Sequence, residues 1–183
     1  VARKLKGNET PELTVLLNFQ RSLMRMPSMV VWAESTSGTI IETLFLEEDF
    51  AFGEQVQWRG NWVRRGDVLP IWRQRYTSVS GATQNHQFAL DEYLSPGRGN
   101  RFVICAEINA SADPNSDWTD PVVGQPSLLY TALVDVDSES HNVLLELTGY
   151  GGTANSSGET MYDLETITTA KNMADLFLVK LEN

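Results

Sequence analysis

Four carboxylate or amide side chains fall within eight positions of this sequence: Asp113, Asn115, Asp117 and Asp120, in SADPNSDWTDP. Hard cations collect carboxylate and carbonyl oxygens from tight loops, so this segment is a candidate calcium loop. It is not an EF-hand, because Trp118 stands where that loop needs glycine and Gly124 where it needs a bidentate glutamate. The competing reading is a solvated acidic turn, with Asp and Pro doing turn chemistry. A different chemistry lies between 58 and 75. Trp58, Trp62 and Trp72 are interleaved there with Arg59, Arg64, Arg65, Arg73 and Arg75. Tryptophan and arginine together are the composition of interface anchors. A third candidate is Ser80-Gly81-Ala82-Thr83, just before His86. Its residues are small, so it also reads as a β-turn in which Gly81 takes positive φ and Ser80 caps.

Other site chemistries find little support. His86 and His141 stand about 55 positions apart, and with Cys105 they make too few ligands for a transition-metal site. His86, Asp91 and a hydroxyl residue can be written as a triad, but no nucleophile motif marks them. The adjacent acids Glu47, Glu48 and Asp49 point apart and read as a charged turn. GYGGTANSSG lacks the Lys-Ser/Thr of a phosphate loop and reads as a flexible hairpin loop. Cys105 sits in the apolar stretch RFVICAEI, as a buried thiol would, and a single cysteine excludes an internal disulfide.

The elements that must position these residues are short. LTVLLNFQR, SMVVWAEST, TIIETLFLE, RFVICAEIN, PSLLYTALVDVD, HNVLLELTGYGG and DLFLVKLEN are apolar or alternating runs between Gly, Pro and Ser turns. That spacing predicts an all-β sandwich. Val31 and Ala33 alternate with Trp32 and Glu34, which suits a half-buried strand, and SG supplies a hairpin turn. HQFALDEYL leads into RFVICAEIN. ETMYDLETITTAKNMADLF is the best helical stretch, and VLPIWRQRYTS holds one short turn of helix. Residues 1–12 read as a polar tail, and 13–183 as one domain. Residues 52–76 form a long Trp/Arg-rich excursion, of the kind that often faces a partner.

Composition bounds the partners. The chain has 183 residues, 42% hydrophobic and 21% charged, with a net charge of −10, as an ordinary globular domain has. An acidic surface repels phosphate backbones, which disfavours nucleic acid and anionic membranes. No run reaches the length of a membrane-spanning helix. The sequence begins at Val1 without an initiator Met, as a mature exported protein with its leader removed or an internal piece of a longer gene product would.

An ordered set of motifs also carries a resemblance. VVWAESTSGTIIETLFL, LPIWRQRY, SVSGATQNH, SPGRGNRFVICAEIN and GQPSLLYTALVDVD follow one another in that order. The set resembles the predicted periplasmic proteins of domain of unknown function twenty-two seventy-one, over roughly Leu13 to Leu181. Gly81 to Glu107 is also similar to the Ig-like domain of the flagellar hook-capping protein. These resemblances imply an Ig-like β-sandwich, a periplasmic location and association with membrane redox and flavin-carrying proteins. SGAT itself resembles the flavin-attachment motif of FMN-binding domains. That implies a bond from the Thr83 oxygen to the FMN phosphate, although Thr77 stands where that motif has aspartate.

The expectation is an all-β, Ig-like sandwich with little helix, exported and not itself an enzyme. It would be an accessory subunit of an extracytoplasmic, redox-linked membrane assembly, holding no cofactor of its own. Trp58, Arg59, Trp62, Arg64, Arg65 and Trp72 would form its protein-docking surface. Two alternatives stand beside it: a covalent FMN carrier through Thr83, and a calcium- or ligand-binding module through Asp113, Asn115, Asp117 and Asp120.

Overall fold

The computed structural model describes residues 2–3, 12–23, 26–47, 55–58, 60–64, 68–79, 90, 93–94, 97, 99–109, 113–121, 123–139, 141–152 and 158–182. Among the described residues, twelve strands form three antiparallel sheets. A four-stranded sheet runs β1 (Ala2–Arg3), β2 (Glu12–Phe19), β12 (Ala174–Glu182), β9 (His141–Leu144). A six-stranded sheet runs β11 (Thr160–Met161), β10 (Glu146–Gly151), β8 (Leu128–Asp135), β7 (Arg101–Asn109), β3 (Ser28–Ser35), β4 (Ile40–Leu46). A separate two-stranded hairpin pairs β5 (Gln55–Trp58) with β6 (Asn61–Arg64). The all-β sandwich is therefore the observed fold. Ala2 and Arg3, expected within a tail, pair with Thr14 and Leu13 as an edge strand.

The period-2 alternation of the strands builds the core between the two larger sheets. Leu13 and Val15 from β2 and Phe177, Val179 and Leu181 from β12 meet Phe102, Ile104, Ala106 and Ile108 of β7. Leu128, Tyr130, Ala132 and Val134 of β8 complete the layer. The chain changes sheets at Leu145, the one residue between β9 and β10. Its side chain is buried and its N–H donates to the Phe177 carbonyl (3.0 Å).

A second core lies on the opposite face of the six-stranded sheet. Val30, Trp32, Cys105 and Leu129 point outward there and are covered by Val68, Leu69, Ile71 and Trp72. The last two belong to a ten-residue helix, α1 (Pro70–Val79). β3 is thus buried on both faces rather than half-buried, with Val30, Val31, Trp32 and Ala33 all fully enclosed. Its hairpin to β4 forms as expected, closed by Ser35–Thr39 backbone bonding and by Gly38 at φ 83°.

Three stretches differ from expectation. VLPIWRQRYTS supplies all of α1 except its last residue, Val79, rather than one turn. ETMYDLETITTAKNMADLF forms β11, a five-residue 3-10 helix over Thr169–Met173 and the start of β12. Its Thr-rich composition disfavours longer helix. The GYG of the expected flexible loop is the end of β10. A Cβ at Gly149 would meet the Met161 carbonyl at 2.6 Å, so the glycine permits close pairing there rather than flexibility. In HQFALDEYL, the described residues show a helical turn, with Leu94 N–H donating to Leu90 O (3.1 Å).

One core residue is poorly satisfied. Tyr130 is 3% exposed and packs edge-on against Phe177, and its hydroxyl has no hydrogen-bond partner among the described residues. Burial pushes that hydroxyl's pKa up to about 12. Tyr130→Phe is expected to stabilise the protein by ~1 kcal/mol in urea unfolding, because it removes an unpaired buried polar group. A loss of stability would show instead that a bound water holds the hydroxyl.

Candidate functional site

The outward face of the six-stranded sheet carries a layer of polar groups beneath α1. Glu107, fully buried on β7, lies under the first turn of the helix. Its Oε1 accepts the Ile71 N–H (3.1 Å) and the Ser127 hydroxyl (2.6 Å), and its Oε2 accepts the Trp72 N–H (2.8 Å). A helix leaves its first N–H groups unpaired and its N-terminus partially positive, so a carboxylate there caps it. Pro70 opens the helix with no N–H to satisfy. Asn109 holds the preceding turn by donating to the Val68 carbonyl (3.0 Å). Gly151 leaves the space this needs: a Cβ there would stand 2.5 Å from Ser127 Oγ and 2.7 Å from Pro70 Cγ.

The helix is tied again near its middle. Arg75 reaches down to Glu34 on β3 and forms an ion pair with Oε2, which also accepts the Trp32 indole N–H (2.9 Å). The guanidinium lies over the Trp32 ring at 5.9 Å and donates to Thr160 on β11. Burial pulls the Arg75 pKa down, but the hydrogen bond and charge of Glu34 outweigh it and raise the group overall. The Cys105 thiol is pushed well up, by burial first and then by Glu34, so it stays protonated and inert. These donors and acceptors are matched to one another, which is the chemistry of a positioning layer.

The β5–β6 hairpin precedes α1 in the chain, ending at Arg64, six positions before Pro70. The register puts Gln55 opposite Arg64 and Gln57 opposite Trp62, so these four residues share one hairpin face. Val56 pairs with Val63 and Trp58 with Asn61 on the other face, and Val63 packs against the second core. Trp62 faces away from it and is 69% exposed. Gly60 takes φ 80° in the connecting turn, a conformation that favours glycine.

This geometry sorts the expected docking residues. Trp62 faces solvent. The backbones of Trp58 and Arg64 belong to the same hairpin, paired with Asn61 and Gln55, and their side chains lie outside the described ones. Trp72 is withdrawn from the set: it is 5% exposed, its indole donates to Thr43 (3.0 Å), and Tyr76 stacks on it at 5.1 Å. Arg59, Arg65 and Thr83 lie outside the described residues, as does His86.

The 113–120 loop is folded by its own side chains. Asn115 Oδ1 accepts the N–H groups of Asp117 and Trp118, and its amide donates to the Thr166 carbonyl (2.9 Å). Asp113 accepts from Gln125 (3.0 Å) and Thr169 (3.1 Å), Asp117 from Ser116, and Asp120 from the Val123 N–H. The four side chains are thus turned to separate partners, and the loop reads as turn chemistry rather than a cation cradle. Among the described residues no three His, Cys, Asp or Glu side chains come together as metal ligands would. His141, at the start of an edge strand, bonds the Glu139 carbonyl through Nδ1 (2.9 Å).

Glu107, Glu34 and Arg75 were missed as functional positions by the sequence. Arg75 was grouped with surface arginines, and both glutamates sit in runs that read simply as strands. The only local signal was a carboxylate on an otherwise apolar strand, twice: VVWAE and VICAE. No family model, no curated protein and no solved structure matches the chain.

Two expectations test the layer. Burial pushes Glu107 up from the 4.5 of an unfolded chain to about 7, against the pull of Ser127 and the two backbone N–H groups. The folded state therefore holds the proton more tightly between those values. Stability is full below about 4.5 and is lost, by ~3 kcal/mol, as pH rises through about 7. Urea midpoints across that window should show this slope, and Glu107→Gln should flatten it. Separately, Glu34→Ala and Arg75→Ala should each destabilise by roughly 3 kcal/mol, the double variant by clearly less than their sum. Strict additivity in that cycle would mean that the pair does not couple.

Proposed function

We propose that this β-sandwich is a non-catalytic binding module, an accessory subunit of an extracytoplasmic, redox-linked membrane assembly. It docks through the outward face of the β5–β6 hairpin. The observation that carries the reading is Trp62, a large aromatic 69% exposed on a ribbon whose other face is anchored to the core. A solvent-facing tryptophan on a fixed support has the character of a binding hot spot, because its large area is desolvated without ordering a flexible chain. Arg64 on the same register face, with no acidic residue between 55 and 64, gives the ribbon a positive character on a chain of net −10. The complementary partner surface is an apolar recess rimmed by acidic groups. The exported, redox-linked setting is supported by the ordered motif resemblance. No helix of the described residues is long and apolar enough to cross a membrane.

Co-purification from native membranes checks the docking face. Trp62→Ala should weaken recovery of the partner by about thirtyfold in Kd, the ~2 kcal/mol of a hot spot, with the melting temperature unchanged. Leu144→Ala, on the opposite side of the sandwich, should leave recovery intact. Equal recovery with wild type and Trp62→Ala would refute the hairpin as the docking surface.

A further inference from the structure

A buried amide joins the two main sheets. Gln125, 1% exposed, stands just before β8 of the six-stranded sheet. Its side chain reaches Thr168 and Thr169, at the start of the 3-10 turn that leads into β12 of the four-stranded sheet. Gln125 Oε1 accepts the Thr168 N–H (2.6 Å) and the Thr168 hydroxyl (3.3 Å). Gln125 Nε2 has three oxygens within 3.0 Å: the Asp113 carbonyl (2.8 Å), Asp113 Oδ2 (3.0 Å) and Thr169 Oγ1 (2.7 Å). An amide nitrogen carries only two protons, so three acceptors oversubscribe it. Asp113 can take both. Thr169 gives its own proton to Asp113 Oδ2 (3.1 Å), which leaves the lone pairs of its hydroxyl to face the amide.

A hydroxyl, a carboxylate that takes its proton and donors aimed at a carbonyl oxygen are the parts of an acyl transfer. Here the acyl group is the side chain of Gln125. Its Nε2 is one bond of ~1.33 Å from Cδ, so Thr169 Oγ1 lies within ~4 Å of that carbon, close to the ~3–3.5 Å of an attacking atom. The proton path is within hydrogen-bond reach at both ends: Asp113 Oδ2 meets the Thr169 hydroxyl and the Gln125 nitrogen. The Thr168 hydroxyl is set differently. It donates to Oε1 and accepts from the Asn115 amide (3.1 Å), as a holder of the carbonyl oxygen would.

We propose that Thr169 and Gln125 join in an intramolecular ester, formed by the chain on itself with Asp113 as the proton carrier. Thr169 Oγ1 attacks Gln125 Cδ and its proton passes to Asp113 Oδ2. The charge that develops on Oε1 is held by the Thr168 N–H and hydroxyl. Asp113 returns the proton to Nε2, the Cδ–Nε2 bond breaks, and ammonia leaves as the Cδ–Oγ1 ester remains. Nothing is oxidised or reduced and no co-reactant is consumed. Thr168 and Thr169 lie at the surface, so the ammonia has an exit. The link ties positions 44 apart and fastens one sheet to the other, in a chain whose single cysteine allows no internal disulfide. It is a single reaction of the chain with itself and stands independently of the hairpin docking.

Intact mass of the purified, denatured protein tests it. Wild type should fall short of the mass encoded by its sequence by one ammonia, and digestion should yield the peptides of Gln125 and Thr169 as one branched species. Thr169→Val and Asp113→Asn should both show the encoded mass, and Thr168→Val, which keeps the backbone N–H, should still lose ammonia. Hydroxylamine should cleave the branched species. Wild type at its encoded mass after prolonged incubation overturns the proposal, whether or not the variants fold. A deficit that survives Thr169→Val overturns it as well, because the ammonia then comes from elsewhere in the chain. A deficit lost in Thr168→Val and kept in Thr169→Val overturns the choice of nucleophile.

Discussion

Leu69, the residue before helix α1, offers no capping side chain, and a buried carboxylate from another part of the chain caps the helix N-terminus instead. Leu69 precedes Pro70 where a Ser, Thr, Asp or Asn would normally stand. Glu107 fills that role from the middle of β7, bonding the Ile71 and Trp72 N–H groups from 36 and 35 positions away. Burying a charge-bearing group is costly unless its partners are in place. Once Ser127, Pro70 and Gly151 close around it, the helix has a single seat on the sheet. Arg75 and Glu34 then set its direction.

Much of the second core follows from that seat. With α1 and Val68–Leu69 over it, the outward face of β3 and β7 becomes interior, and Trp32 and Cys105 become core residues. The hairpin comes just before this covered segment, and Val63 secures it to the same cluster. Trp62 is left facing solvent for the same reason that Val63 is buried: neighbouring residues of a strand point to opposite faces. The matched layer beneath α1 thereby supports the cluster against which Val63 packs.

The opposite side of the molecule follows simpler rules. β2, β12 and β9 put their alternate residues into the inter-sheet core and leave the other set outside. The row of Leu16, Leu178 and Leu144 across them results from the registers of two strand pairs. DLFLVKLEN taken alone offers two leucines and a lysine on one face. Only the pairing with β2 and β9 lines Leu178 up with Leu16 and Leu144.

Local pattern was enough to show the longer strands of the two main sheets, the Ser35–Thr39 turn, the sandwich class, the buried thiol at Cys105 and the aromatic-arginine character of the hairpin region. These are readable because a strand's alternation and a turn's glycine are properties of a few adjacent residues. The length of α1, the double burial of β3, the withdrawal of Trp72 and the tight packing of Gly149 and Gly151 were not readable. Each depends on a group brought in from far along the chain: Glu107 for the helix, the helix for β3, Thr43 for Trp72, Met161 for Gly149 and Pro70 with Ser127 for Gly151. The sequence by itself determined an all-β domain of acidic character, because composition and short-range periodicity decide those. Which charges are buried, which tryptophan faces solvent and which leucines share a row were decided by the tertiary structure alone, because pairing register and a distant helix cap have no local signature.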